Sequence, residues 1–202
     1  NSSEFAYVLR DIYNHKPNTA WEIIWINLTY NSIITNWYVT STNFNIPYSK
    51  NELLAMLQNE FPNYGSGTLK NPLGALLNTF DLSALGNDIE ITQLIKKGNA
   101  IETIIRKPFE MSDPISIAYS LYRYALDKKR YNLTVSELYS QEQRHGVYKE
   151  FGISKERFQN ILRALQENKH GIVKVELVMG LDNIFLREDV TCIEVIKLLL
   201  DK

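Results

Sequence analysis

The chain has 202 residues, 22 Lys and Arg against 23 Asp and Glu, and an apolar share of 45%. That length is enough to bury a core without staples, in one large domain or two small ones. The single cysteine, Cys192, excludes an intramolecular disulfide framework, the near-zero charge argues against a general nucleic-acid glue, and the longest apolar stretch, Trp21 to Leu28, is broken by Glu22 and Asn27 and too short to cross a bilayer.

No apolar signal region with a small-residue cleavage site is present, so the expectation is a cytoplasmic protein. The sequons Asn27-Leu28-Thr29 and Asn132-Leu133-Thr134 are then incidental. The chain opens Asn1-Ser2-Ser3-Glu4 with no initiator Met, as expected of a piece of something longer. The N-terminal third is helical and aromatic. Trp21, Ile24, Trp25 and Leu28 share one stripe, and Ile33, Ile34, Trp37 and Tyr38 share another, a pattern expected of core or domain seam rather than of a ligand box.

A repeated order follows. Ser49-Lys50-Asn51-Glu52 is a capping box before Leu53, Leu54 and Leu57, and Phe61 to Gly67 ends that helix. Thr68 is the expected N-cap of a second helix with Leu69, Leu73, Leu76, Leu77 and Phe80 on its apolar face and Pro72 in its first turn. The runs Ile89 to Thr92 and Ala100 to Ile104 flank Lys97-Gly98-Asn99 as a hairpin.

The second copy is led by a long helix from Pro114 to Lys129. Thr134 to Tyr139 form a short helix, breaks fall at His145-Gly146 and Phe151-Gly152, and Ser154 caps a helix with Phe158, Ile161, Leu162 and Leu165 inward. Ile172 to Val178 and Asn183 to Arg187 flank a turn at Gly180-Leu181-Asp182-Asn183. Cys192 falls on the buried face of the last helix. The expected fold is therefore α+β, mainly α: a helical N-terminal part followed by two winged-helix units, each a helix-turn-helix plus β-hairpin. The expected domains are residues 1–110, the helical segment with the first winged helix, and residues 111–202, the second winged helix with a C-terminal helix.

Charge is unevenly spread. From Arg123 to Lys174 eleven cations face six anions, and from Val175 onward the sign reverses. The nucleic-acid-binding candidates are Lys155, Arg157, Gln159, Asn160 and Arg163, which alternate with the apolar stripe of the second recognition-type helix, with Lys169 and Lys174 at the base of its wing. In the first unit Lys70 is the comparable residue, with Asn71, Asn78, Lys96 and Lys97. No residues are expected to be catalytic or to bind a metal or cofactor. Three histidines and one cysteine have no ligand spacing, Gly65-Ser66-Gly67-Thr68 lacks the phosphate-loop ending, and no nucleophile elbow occurs.

Thr19-Ala20-Trp21 through Trp25, Asn36-Trp37-Tyr38, Tyr48 to Leu54, Thr68-Leu69-Lys70 with Leu73, Leu77 and Phe80, then Gly146-Val147-Tyr148-Lys149 and Gly180-Leu181-Asp182 resemble, in this order, the bacterial domain of unknown function 4007. The resemblance implies an accessory protein encoded near sulfur-transfer genes of the phosphoadenosine-phosphosulfate reductase type, in DNA phosphorothioation or related anti-phage islands. It implies a further helical segment ahead of this chain. Asn71-Pro72 stands where that family shows a basic-acidic pair. The expected function is a non-enzymatic, DNA-binding accessory or regulatory protein, with DNA and other proteins of a modification or defence complex as partners. The alternative is a tandem winged-helix scaffold that never touches nucleic acid, its footprint including Tyr7, Tyr13, Tyr30 or Tyr38.

Overall fold

A computed structural model describes residues 2–178 and 180–201. Asn1 and Lys202, which open and close the sequence, lie outside the described residues. The protein is mainly helical with two small three-stranded antiparallel sheets. Among the described residues, no helix is long and apolar enough to cross a membrane. The chain divides into a continuous unit, Asn27–Phe109, and a split unit, Asn1–Ile26 with Glu110–Lys202. The N-terminal segment up to Ile26 groups with the half of the chain from Glu110 onward.

In the continuous unit the chain runs through α3 (Ile33–Ser41), β1 (Pro47–Ser49), α4 (Lys50–Glu60), α5 (Ser66–Leu82), α6 (Ala84–Asn87), β2 (Thr92–Lys97) and β3 (Ala100–Arg106). Two helices precede these, α1 (Ser2–His15) and α2 (Pro17–Asn31), the latter crossing the division at Ile26. The Ser49 capping box forms: Glu52 N–H donates to Ser49 Oγ at 3.2 Å, and Ser49 N–H donates to the Glu52 carboxylate at 2.6 Å. β3 lies between β1 and β2, and the hairpin closes on Gly98 and Asn99, with Gly98 at φ +60° supplying the left-handed turn that β-branched residues resist. The core packs Tyr38 against Phe80, ring centroids 5.4 Å apart, among Leu53, Leu57, Leu73 and Leu77.

Four expectations need correction here. α5 begins at Ser66 with Gly65 as N-cap, because the N–H groups of Thr68 and Leu69 already donate to the Gly65 carbonyl, so Thr68 does not cap it. Pro72 is therefore interior and the helix forgoes one hydrogen bond. β2 starts only at Thr92, because Glu90 at φ +55° breaks the run and sends Ile89 and Ile91 into the core as loop residues. Tyr38, suggested as part of an exposed footprint, is 1% exposed and its Oη lies 3.0 Å from Thr92 Oγ1.

The split unit is built on α7 (Pro114–Lys128), whose N-cap Asp113 accepts from Ile115 N–H at 2.8 Å and whose chain leaves through Lys129 at φ +53°. Then come β4 (Asn132–Thr134), α8 (Val135–Leu138), α9 (Val147–Phe151), α10 (Lys155–Gln166), β5 (Val173–Glu176), β6 (Asn183–Leu186) and α11 (Cys192–Leu200). α11 packs on α7 and α1, where Lys197 and Glu4 pair at 2.6 Å, and Trp25 Nε1 donates to the Glu150 carbonyl at 2.8 Å. These contacts are why the N-terminal segment belongs to this unit.

The buried face of α2 is Thr19, Glu22, Ile23, Ile26 and Thr29 with Ala20 and Trp25, while Trp21, Ile24 and Leu28 are half-buried. The stripe expected from hydrophobicity is rotated because Glu22 faces inward. Cys192 is half-buried at the start of α11, not on its fully buried face. Both units share one order: a short strand, three helices, then a hairpin whose second strand is central and pairs with the first strand.

Candidate nucleic-acid interface

α10 begins where Ser154 Oγ accepts from Arg157 N–H at 3.3 Å. Phe158, Ile161, Leu162 and Leu165 anchor one side in the core. The opposite side carries Glu156, Asn160, Arg163 and Glu167, all exposed, with Gln159 half-buried beside them and Lys155 exposed at the border of that face. Arg163 Nη1 donates to Asn160 Oδ1 at 2.9 Å. A bidentate contact from Asn160 to a base edge would have to open that pair.

The other predicted residues fall at the edges. Arg157 is exposed, but its Nε donates to the Glu110 carbonyl at 3.2 Å. The Glu110 carboxylate in turn accepts from Ser154 N–H at 2.9 Å and from Ser154 Oγ at 3.0 Å. Lys155 Nζ stands 5.5 Å over the Tyr139 ring. Lys169 is exposed in the connection between α10 and β5. Lys174, on β5, lies 5.7 Å over Phe185 and 3.9 Å from Glu176, and Val175 N–H donates to Gln166 Oε1 at 2.6 Å, tying that strand to α10. Lys155, Gln159, Asn160 and Arg163 therefore share a surface, with Lys169 and Lys174 following in the chain on the connection and strand that α10 abuts.

Not all of the basic excess is available. Lys149 is 9% exposed, Arg123 is half-buried, and Arg130 pairs with Glu137 at 2.7 Å. Linear counting treats every cation as surface charge, whereas α7 and α9 turn some of them inward. Lys70 belongs to the continuous unit, where it is exposed on α5 with Asn71 and Asn78. In its hairpin Lys96 Nζ pairs with Asp81 at 2.5 Å, and Lys97 is exposed beside the turn.

Three residues that shape this surface carried no local signal in the sequence. Glu110 is far from Ser154 in the chain, and only folding brings them together. Arg187 holds the base of the second hairpin: it pairs with Asp189 at 2.5 Å and donates to the His170 carbonyl at 2.9 Å, and its own N–H donates to Tyr122 Oη at 3.1 Å. Tyr122 Oη donates onward to the Ile172 carbonyl at 2.7 Å, so α7 fixes both strands of the hairpin.

A second surface lies in the continuous unit. A groove of about 460 Å³ is walled by Ile33, Ile34, Leu57, Phe61, Leu69 and Pro72, with Asn31, Ser32, Tyr64 and Thr68 as its polar members. Ile33 is 76% exposed and Tyr64 56% exposed.

No protein-family model, curated protein or solved structure matches the chain.

Proposed function

We propose that each repeat is a winged helix and that the chain is a DNA-binding accessory or regulatory protein of a bacterial DNA-modification or anti-phage defence system. The observation that carries the binding reading is the outer face of α10, where Gln159, Asn160 and Arg163 stand together with Lys155 at the start of the helix. Amides with a guanidinium are the groups that read base edges in the major groove, and flanking lysines such as Lys169 and Lys174 suit phosphates. The genomic setting follows from the resemblance alone.

Glu156 and Glu167 share that face, so affinity for duplex DNA is expected to be micromolar and strongly salt-dependent. Fluorescence anisotropy of a labelled mixed-sequence duplex at two salt concentrations tests this. Removing both cations in a Lys155→Ala, Arg163→Ala variant is expected to weaken binding and lower the salt slope by about two. Unchanged affinity in that variant would remove α10 as the surface. Absence of binding at low salt would favour the second reading, a protein-interaction scaffold, for which the uncharged groove of the continuous unit with Ile33 and Tyr64 at its rim is the specific support.

A further inference from the structure

Ser116 and Ser120 lie one turn apart on α7, both fully buried, and each has a buried glutamate beside it. Glu22, 2% exposed on α2, accepts from Asp113 N–H at 3.0 Å. The Ser116 hydroxyl is close to that carboxylate, although the geometry falls short of a hydrogen bond. Glu150, 1% exposed on α9, is held more tightly. It accepts from Ser120 Oγ at 2.5 Å and from Gly146 N–H at a long 3.4 Å, while its carbonyl takes the Trp25 indole. This one residue joins α9 to both α7 and α2.

The supply of donors is the decisive point. An ionised carboxylate loses a full hydration shell on burial, and one hydroxyl with one distant N–H does not replace it. The charged group acting on Glu150 is Arg123 of α7, and its effect is smaller than that of burial. The neutral acid needs less solvation and can itself donate. Gly146 sets the geometry, with φ +106° and a site where a Cβ would come 3.1 Å from Leu138 Cδ2.

We infer that α9 is a proton-linked latch, seated on α7 while Glu150 is protonated and loosened when Glu150 is ionised. The device is independent of whether α10 meets nucleic acid. Burial raises the Glu150 carboxyl to about 7, offset in part by Ser120, Gly146 and Arg123. With a folded value above the solvated one, seating is fully favoured below about pH 4.5, weakens as pH rises through 7, and is constant above. His145, just before α9, has the opposite sign: burial lowers its pKa, helped by Lys128, Arg144 and Arg123 and opposed by Asp127, so its titration would loosen the segment as pH falls.

Hydrogen exchange on the full chain tests the latch. After correction for intrinsic rates, the opening constant of the amides of Tyr148 to Gly152 is expected to rise by up to about tenfold per pH unit between pH 5 and 7 and then level off. The Glu150→Gln variant is expected to lose that dependence and Glu22→Gln to keep it. Should Glu150→Gln fail to fold, the carboxyl-carbon resonance of Glu150 in the unaltered chain decides, with a midpoint well above the ordinary glutamate value expected. A flat wild-type profile, a slope of the His145 sign, a slope surviving Glu150→Gln, or an ordinary midpoint would overturn the latch.

Discussion

Arg106 is 2% exposed in the continuous unit, yet nothing in its strand pattern marks it as a core residue. Its Nη1 donates to the carbonyls of Val39 at 2.7 Å and Thr42 at 3.1 Å, and its guanidinium lies 4.0 Å over the Phe44 ring. Those carbonyls belong to the C-terminal end of α3, where a cation also meets the negative end of the helix dipole. Removing it in Arg106→Ala would leave buried acceptors without their donor and is expected to cost about 3 kcal/mol in urea denaturation. Arg106→Lys keeps the charge but not the planar fork, so it should recover only part of the loss. Gly86 is a second such position. A Cβ there would lie 2.1 Å from the backbone oxygen of Phe80, and Gly86→Ala is expected to destabilise by about 3 kcal/mol. Neither dependence is legible in the sequence, since each rests on a neighbour supplied by folding.

At the scale of elements, local chemistry was read well at two caps: Ser49 with Glu52 forms a complete capping box, and Ser154 caps α10. The boxes of Thr134 with Glu137 and Thr191 with Glu194 follow the same local pattern, although the sequence reading did not single them out. Ser154→Ala is expected to cost about 1 kcal/mol for the cap, measured by thermal unfolding, and more if the Glu110 contact contributes beyond it. The double variant with Glu110→Ala separates the two. Reading failed where the backbone alone decided, as at Gly65 before α5 and at Glu90 before β2. It also failed for β1 and β4. Three residues each are too few to show alternation, and both exist because the central strand of each hairpin offers a free edge.

For the whole molecule, the buried pair Glu22 and Glu150 governs the pH dependence. Burial raises Glu22 to about 7, against the smaller effects of Ser116 and the Asp113 N–H. Both folded values exceed the solvated one, so their stabilising contribution is full below about pH 4.5 and is lost as pH rises to about 7. The capping carboxylates Glu52 and Glu194, lowered chiefly by the backbone N–H groups of Ser49 and Thr191, act the other way, and their contribution disappears below that range. Chemical denaturation as a function of pH should therefore find maximum stability on the acid side of neutrality. At pH 8 Glu22→Gln should be more stable than the unaltered chain by on the order of 2 kcal/mol. A maximum above pH 8 would contradict the assignment of both carboxylates as ionised at a cost.

By itself the sequence determined α4, α7 and α10, the caps of α4 and α10, the turn of the first hairpin, the second hairpin and the amide and cation pattern of α10, because these depend on neighbours within a few positions along the chain. Only the tertiary structure decided which of the basic residues reach the surface, that Glu110 meets Ser154 and Arg157, that residues up to Ile26 join the C-terminal half, and that Glu22, Arg106 and Glu150 are buried. Burial and long-range pairing are set by which faces meet when the core closes. A polar side chain at an inward position looks the same in the sequence as one in solvent until its partner from a distant segment is in place.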